Sequence, residues 1–258
     1  MADPRLGVGA YLIGVLWLLV VGSAVAWSAT LVARRAVGPG PVRVLAGAVV
    51  ALLQLTVTGQ LLGAVGLLWA WPFAIATVVG CWAAARVVPS HAQRDAPLVR
   101  PPVVHRPVDR AERVLAAVAV AVVATQWASH TVDALQRGMT HADTLWYHGP
   151  FSARFLQMGS LGDLGPIGYL EARYYPLGSE LLHTVVALPF HRDVLSPLVN
   201  LGFAALALLA CWAIGERFAR GALAVLGGAA GLSLPALAGT QPGQGSNDVV
   251  VIALFLAA

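Results

Sequence analysis

The side chains able to do chemistry are not spread evenly along this chain. They gather in two stretches. The first, residues 131–193, holds His141, Asp143, Tyr147, His148, Arg154, Asp163, Glu171, Arg173, Tyr174, Tyr175, Glu180, His183, His191, Arg192 and Asp193. The second is the short run Gly239 to Asp248, rich in Gln, Gly, Ser and Asn and closing on Asn247-Asp248. Residues of these types are the raw material of acid–base and metal sites. His141-Ala142-Asp143 with His148 five residues on invites a metal reading, but it is not a specific zinc spacing. A divalent metal therefore stays an open option. Asp143 comes just after an apolar run, and within hydrocarbon an Asp costs roughly 2.5–3.5 kcal/mol at mid-depth. Two readings explain it: a functional carboxylate at the membrane interface, or a cap for a helix starting at Thr144. Asp248 is open to the same two readings, since it directly precedes the apolar run that begins at Val249.

Other chemistries lack their signatures. There is no Gly-rich phosphate loop, no Cys-x-x-Cys and no nucleophile elbow. Cys81 and Cys211 sit inside apolar runs and read as inert core thiols. The glycines near 227–231 also lie in an apolar run, where they suit close helix packing.

The elements that must position these residues follow from composition. Of 258 residues 58% are apolar and 11% charged, against about 25% charged in soluble domains. Mean hydropathy is +0.75. This is an all-α, polytopic helical membrane protein with interfacial helices in one large outer loop. Spans of about 20 apolar residues are expected at 10–32, 44–68, 72–88, 114–130, 195–214 and 221–238. A seventh begins at Val249 and reaches only Ala258, so we expect the chain to be a piece of a longer protein. The chain divides into an N-terminal three-span bundle (1–88), a Pro- and Arg-rich linker (89–113) and a part from 114 to 258 that carries the outer loop 131–193.

All 16 basic residues are arginine, and 11 of them fall in 33–43, 89–113 and 215–220 with their flanks. Eight of the 12 carboxylates fall on the other side. Arginine bias marks the cytoplasmic side. The N-terminus and the 131–193 loop are then outside, in the plasma (inner) membrane, with membrane lipids as neighbours. The same pattern accounts for the high pI without nucleic acid. A competing reading takes Ala24-Val25-Ala26 as a signal-peptide cleavage site, but the n-region is poor, with Asp3 beside a single Arg5. Trp69 and Trp71 bracket the outer turn between the second and third spans, as an aromatic belt would.

Within the outer loop, Pro150 can start a short helix with Phe151, Phe155, Leu156 and Met158 on one side. Pro176 can start another, with Leu177, Leu181, Leu182, Val185, Val186 and Leu188 forming an apolar face and Glu180 and His183 opposite. Such helices lie in the interface plane, and Tyr174-Tyr175 adds an anchor.

In order and spacing these residues resemble the N-terminal half of the GT-C superfamily of membrane glycosyltransferases. The closest likeness is to the bacterial branch related to protein O-mannosyltransferases and aminoarabinose transferases. The resemblance covers about 115–258. It is carried by Asp143 after a span, by Tyr147-His148-Gly149-Pro150 opening an interfacial helix that ends near Gly159, and by Tyr175-Pro176-Leu177-Gly178-Ser179-Glu180-Leu181-Leu182 opening a second. A span carrying Asn200 follows, and then a Gln-rich turn closing on Asn247-Asp248. Thr144 stands where the family often has a second acidic residue. The resemblance implies transfer of a sugar from a polyprenyl-phosphate carrier to an acceptor at the outer face. Asp143 would be the general base. Asp248 would position the acceptor or share a divalent ion. Arg154 and Arg173 would meet the leaving phosphate, and His148, Tyr175 and Asn247 fall to substrate binding. A non-catalytic assembly or accessory protein and a transporter fragment are the alternatives. A transporter predicts ionisable groups at mid-span, whereas the span interiors hold mostly Gln54, Thr56, Thr58 and Asn200.

Overall fold

The computed structural model describes residues 7–88, 110–162 and 177–258. Every regular element among them is helical. In chain order these are α1 (Val8–Ala36), α2 (Pro41–Ala64), α3 (Ala70–Val87), α4 (Arg110–Arg137), a π-helical turn (Thr144–His148), α5 (Gly149–Met158) and α6 (Gly178–Ala187). A 3-10 turn (Ser196–Leu198) leads into α7 (Val199–Glu216), followed by α8 (Gly221–Leu232), α9 (Pro235–Ala238) and α10 (Asp248–Ala257). Five helices are long and apolar enough to cross a membrane: α1, α2, α3, α4 and the run Ser196–Glu216 that contains α7. The chain is an all-α, multi-pass membrane protein.

The run 221–238, expected to be a sixth span, is broken. Its first part, α8, has 12 residues, a rise of about 18 Å against a hydrocarbon core of about 30 Å. Leu234 then leaves the helix (φ −60, ψ 137) before Pro235 starts the single turn of α9. The proline ring disfavours helical backbone in the residue before it. Composition is apolar throughout this run, so hydropathy reads across a break that the proline makes.

α1 packs against both α2 and α3, through Trp17, Val21, Val25, Phe73, Ala74 and Cys81. α2 also packs on α6 and α7, which joins residues 7–88 to the rest. α7 pairs with α8 and α10, and α4 lies along α8. Trp127 Nε1 donates to Leu232 O (3.1 Å) and ties α4 to the end of α8. One end of the bundle carries arginines: Arg35 donates to the carbonyls of Ala85 and Val88 at the end of α3, and Arg220 lies 3.5 Å from Glu112. Cations at helix C-termini satisfy the last carbonyls.

α5 docks at the opposite end. Leu68 N donates to Gly159 O (2.9 Å) and Leu161 N to Gly63 O (3.0 Å), so the exit of α5 is pinned to the α2–α3 turn. Gly159 ends α5 in left-handed backbone (φ 62), and a Cβ there would lie 2.4 Å from the Trp69 ring. Phe151 and Phe155 are completely buried, so the apolar face of α5 meets protein. α6 departs further from expectation. The sequence pattern places Glu180 and His183 opposite the apolar face, yet the whole run Ser179–Val185 is buried, both residues included. The cause is a full surround: α2, α5 and the 3-10 turn all pack on α6.

Candidate functional site

The two chemistry-bearing stretches meet. Asn200, near the start of α7, is fully buried. Its Nδ2 lies 2.9 Å from Gln241 O, 3.0 Å from Gln244 O and 2.7 Å from Ser246 O. Two amide hydrogens thus serve three carbonyls of one irregular segment. Irregular backbone at membrane depth is tolerated only where protein or a water-filled cavity satisfies it. The same segment grips the start of the other stretch. Gln244 Oε1 accepts from the N–H groups of Thr140 and His141, both at 2.9 Å, and Gly245 N donates to Thr144 Oγ1 (2.9 Å). Gly243 (φ 71) allows the approach to α4, since a Cβ there would lie 2.6 Å from Ala134 Cβ. These contacts form a seam between residues 140–144 and 241–246.

Asp143 and Asp248 flank this seam. Asp143 is half-buried, makes no side-chain cap to the π-turn, and has His141 Nδ1 3.9 Å away. His141 Nδ1 also lies 3.2 Å from Ser246 Oγ. The capping reading of Asp143 therefore finds no hydrogen bond. Asp248 is exposed at the first position of α10, with the half-buried Asn247 as N-cap, and accepts from Gln241 Nε2 (2.7 Å). The N-cap Asn247 makes no side-chain cap bond. Arg154 is half-buried on α5. Arg173 and Tyr175 lie outside the described residues. Among the described residues, no group of three or more His, Cys, Asp or Glu side chains is placed to hold a metal ion.

Beside the seam lies a cavity of about 620 Å³, walled by α5, α6, Trp69, Gly245 and residues 191–196. Asp143 and Asp248 are not in its lining. His148 is, and it is buried with its Nδ1 in a short hydrogen bond to Glu180 Oε1. Ser152 Oγ lies 3.0 Å from both the His148 and Glu180 carbonyls, which fixes α5 to α6 behind the pair. The π-turn brings His148 to this place: Gly149 N bonds back to Thr144 O, five residues earlier. Single π-turns are frequent at functional sites. His183, one turn along α6, also lines the cavity, with its Nδ1 on Ser196 Oγ and its Nε2 without a partner among the described residues. Burial first, then the neighbouring His148, push the His183 imidazole down to about 4, so it is neutral near pH 7. His191 (φ 50), Arg192 and Asp193 stand exposed at the rim.

On its other face, α6 helps line an apolar groove of about 480 Å³ with α2 and α7, including Leu52, Leu55, Leu182, Val186, Phe203 and Leu206. The cavity takes His183 and Ala187 from α6, while the groove takes Leu182, Val185 and Val186.

Sequence reasoning gave His148 a binding role and counted Glu180 and His183 among the chemistry-bearing side chains, but it turned those two outward and missed their pairing with His148 and Ser196 and the paired roles of Gln241 and Gln244. A signal was present: Glu180 and His183 sit three apart within a mostly apolar helix, the spacing that puts two groups on one face. Charge and imidazole in a helix with no polar face point inward. No family model matches the chain, and no curated protein or solved structure is significantly similar to it.

Proposed function

We propose that the protein is a membrane glycosyltransferase of the GT-C kind. It would move a sugar from a polyprenyl-phosphate-linked donor to an acceptor at the outer membrane face. One observation carries this reading: a cavity that gathers His148, Ser152, His183 and Arg192 and a wholly apolar groove share helix α6. A lipid-linked sugar has the same two halves. Its polyprenyl tail suits the groove, its sugar and phosphate suit the cavity, and Arg192 at the rim is a guanidinium matched to phosphate oxygens. Arg154 and Arg173 are further candidates for that charge.

In the transfer, the acceptor hydroxyl oxygen attacks C1 of the sugar and the C1–O bond to phosphate breaks. The hydroxyl proton passes to Asp143, and the electron pair leaves on the phosphate, which the arginines stabilise. Asp143 itself does not line the cavity; it precedes Thr144, whose Oγ1 accepts from the N–H of Gly245 in the cavity wall. Asp248 positions the acceptor from the same seam. His148, Tyr175 and Asn247 belong to substrate binding.

The test is transfer of labelled sugar from a polyprenyl-phosphate donor by reconstituted protein. Asp143→Ala should lower the rate by about 10²–10⁴-fold, the usual worth of a general base. Unchanged transfer by that variant would remove the base assignment. A wild-type protein that neither binds nor consumes any such donor would favour the non-catalytic reading.

A further inference from the structure

We propose that the cavity beside α6 is a carbohydrate subsite in which His183 Nε2 pairs with one hydroxyl of a sugar ring. The lipid-linked donor reading supplies only the source of that sugar. Four observations carry the inference. His183 is 3% exposed, so its ring is a buried polar group. Its Nδ1 is committed to Ser196 Oγ, and its Nε2 lacks a partner among the described residues although His183 lines the cavity. A buried nitrogen left unpaired is destabilising, and native proteins rarely keep one without a use.

The chemistry of the missing partner can be narrowed. If Ser196 donates to Nδ1, then Nε2 carries the hydrogen and donates. If Nδ1 donates to Ser196, then Nε2 accepts. A hydroxyl answers either tautomer, because it both donates and accepts. A phosphate oxyanion only accepts and an ammonium only donates. A neutral imidazole also gives an anion no charge to pair with, and Glu180 lies on the same helix one turn back. The only guanidinium among the described lining residues, Arg192, is at the rim. Phosphate is therefore placed at the mouth and the neutral ring at depth. The remaining walls fit a sugar. Trp69 offers an aromatic surface, and Ser152 Oγ, whose hydrogen faces the His148 and Glu180 carbonyls, keeps lone pairs to accept a hydroxyl. Mostly apolar walls with a few convergent polar atoms are the usual make-up of small-molecule sites.

The experiment uses the whole chain in nanodiscs, free of sugar detergents. Binding of a panel of methyl hexosides and pentosides is read by ligand-observed NMR and by the shift in thermal midpoint. The same is done with a polyprenyl phosphate bearing or lacking a hexose. The variant is His183→Phe combined with Ser196→Ala, which replaces both members of the buried pair by apolar groups and so need not weaken the fold. We expect it to keep or raise the thermal midpoint while binding of at least one methyl glycoside falls about tenfold or more, a loss of about 1.4 kcal/mol. Equal glycoside binding by variant and wild type, or none by either, overturns the subsite. His183→Gln alone, which retains a hydrogen-bonding side chain, should keep part of the affinity. If it binds no better than the Phe variant while folding normally, the hydroxyl pairing is wrong. The lipid probes separate the two readings. Glycoside binding that depends on His183, together with no preference for the sugar-bearing lipid, sustains the subsite and overturns the lipid-linked donor.

Discussion

Of the 13 buried polar or charged residues described, Ser28 and Thr77 lie in α1–α3, and the other eleven lie from Thr131 onward. α1–α3 are joined by apolar and small side chains with a few interhelical bonds: Ser28 Oγ to Cys81 O at 2.9 Å and Gln54 Nε2 to Ser28 Oγ at 2.8 Å. From α4 onward, short helices and irregular backbone are joined by buried imidazoles, amides and one carboxylate. The difference teaches where function is placed. Polar groups inside a membrane protein are costly and kept for use. Three long helices can meet through side chains alone, whereas a seam of irregular backbone must find a partner for each buried carbonyl and amide.

The comparison can be broken most forcefully at Glu180. Glu180→Ala leaves His148 without its partner and should cost about 3–5 kcal/mol in chemical unfolding, as for other broken buried pairs. A loss near zero would mean that the polar half is no more than decoration. Asn200→Ala comes next, at about 3 kcal/mol, because it orphans the carbonyls of Gln241, Gln244 and Ser246. Hydrogen exchange should quicken at the amides of Thr140, His141 and Gly245 while those of α1–α3 stay protected.

Acid offers a gentler and reversible version. The folded His183 imidazole sits at about 4 against an ordinary 6.5. The unfolded chain therefore binds the extra proton between those values, and stability rises with pH across that window. Its contribution is complete above about 6.5 and falls away as pH drops toward 4, by up to about 3 kcal/mol. A melting series from pH 7 to pH 4 should show this slope, and His183→Phe should flatten it. Gly159→Ala should cost about 1–2 kcal/mol for left-handed backbone alone, with displacement of Trp69 added. At the small end, Ser28→Ala should cost about 0.6 kcal/mol, the average for interhelical bonds in membranes. A larger loss there would erase the contrast between the halves.

Much of the first half was legible in the sequence. α1, α2 and α3 are long apolar runs ended by arginine or glycine, and hydropathy alone finds such runs. The meeting of the two polar stretches also followed from reading them onto one side of the membrane, and Gly159 does end α5. The failures have one physical origin. Hydropathy sums composition and ignores what surrounds it, so it ran a span through Leu234-Pro235. Helical periodicity assumed that α6 had a wet face, so it sent Glu180 and His183 outward. What hides them is the packing of α2, α5 and the 3-10 turn, which are distant in the chain. Asp143 and Asp248 could be named from type and position, but their placement at a seam beside the cavity depends on Gln241, Gln244 and Asn200. No local pattern announces those three.

The brevity of α8 bears on the lipid itself. α8 has only 12 residues, a rise of about 18 Å that falls well short of a hydrocarbon core of about 30 Å. Lipid beside α8 must thin, or water must enter where the helix stops. The protein then presents an uneven perimeter, with a dimple on the side of the seam. Acyl-chain length in the host bilayer should therefore tune the protein's thermal stability, with thinner membranes relieving the mismatch around α8 and thicker ones sharpening it.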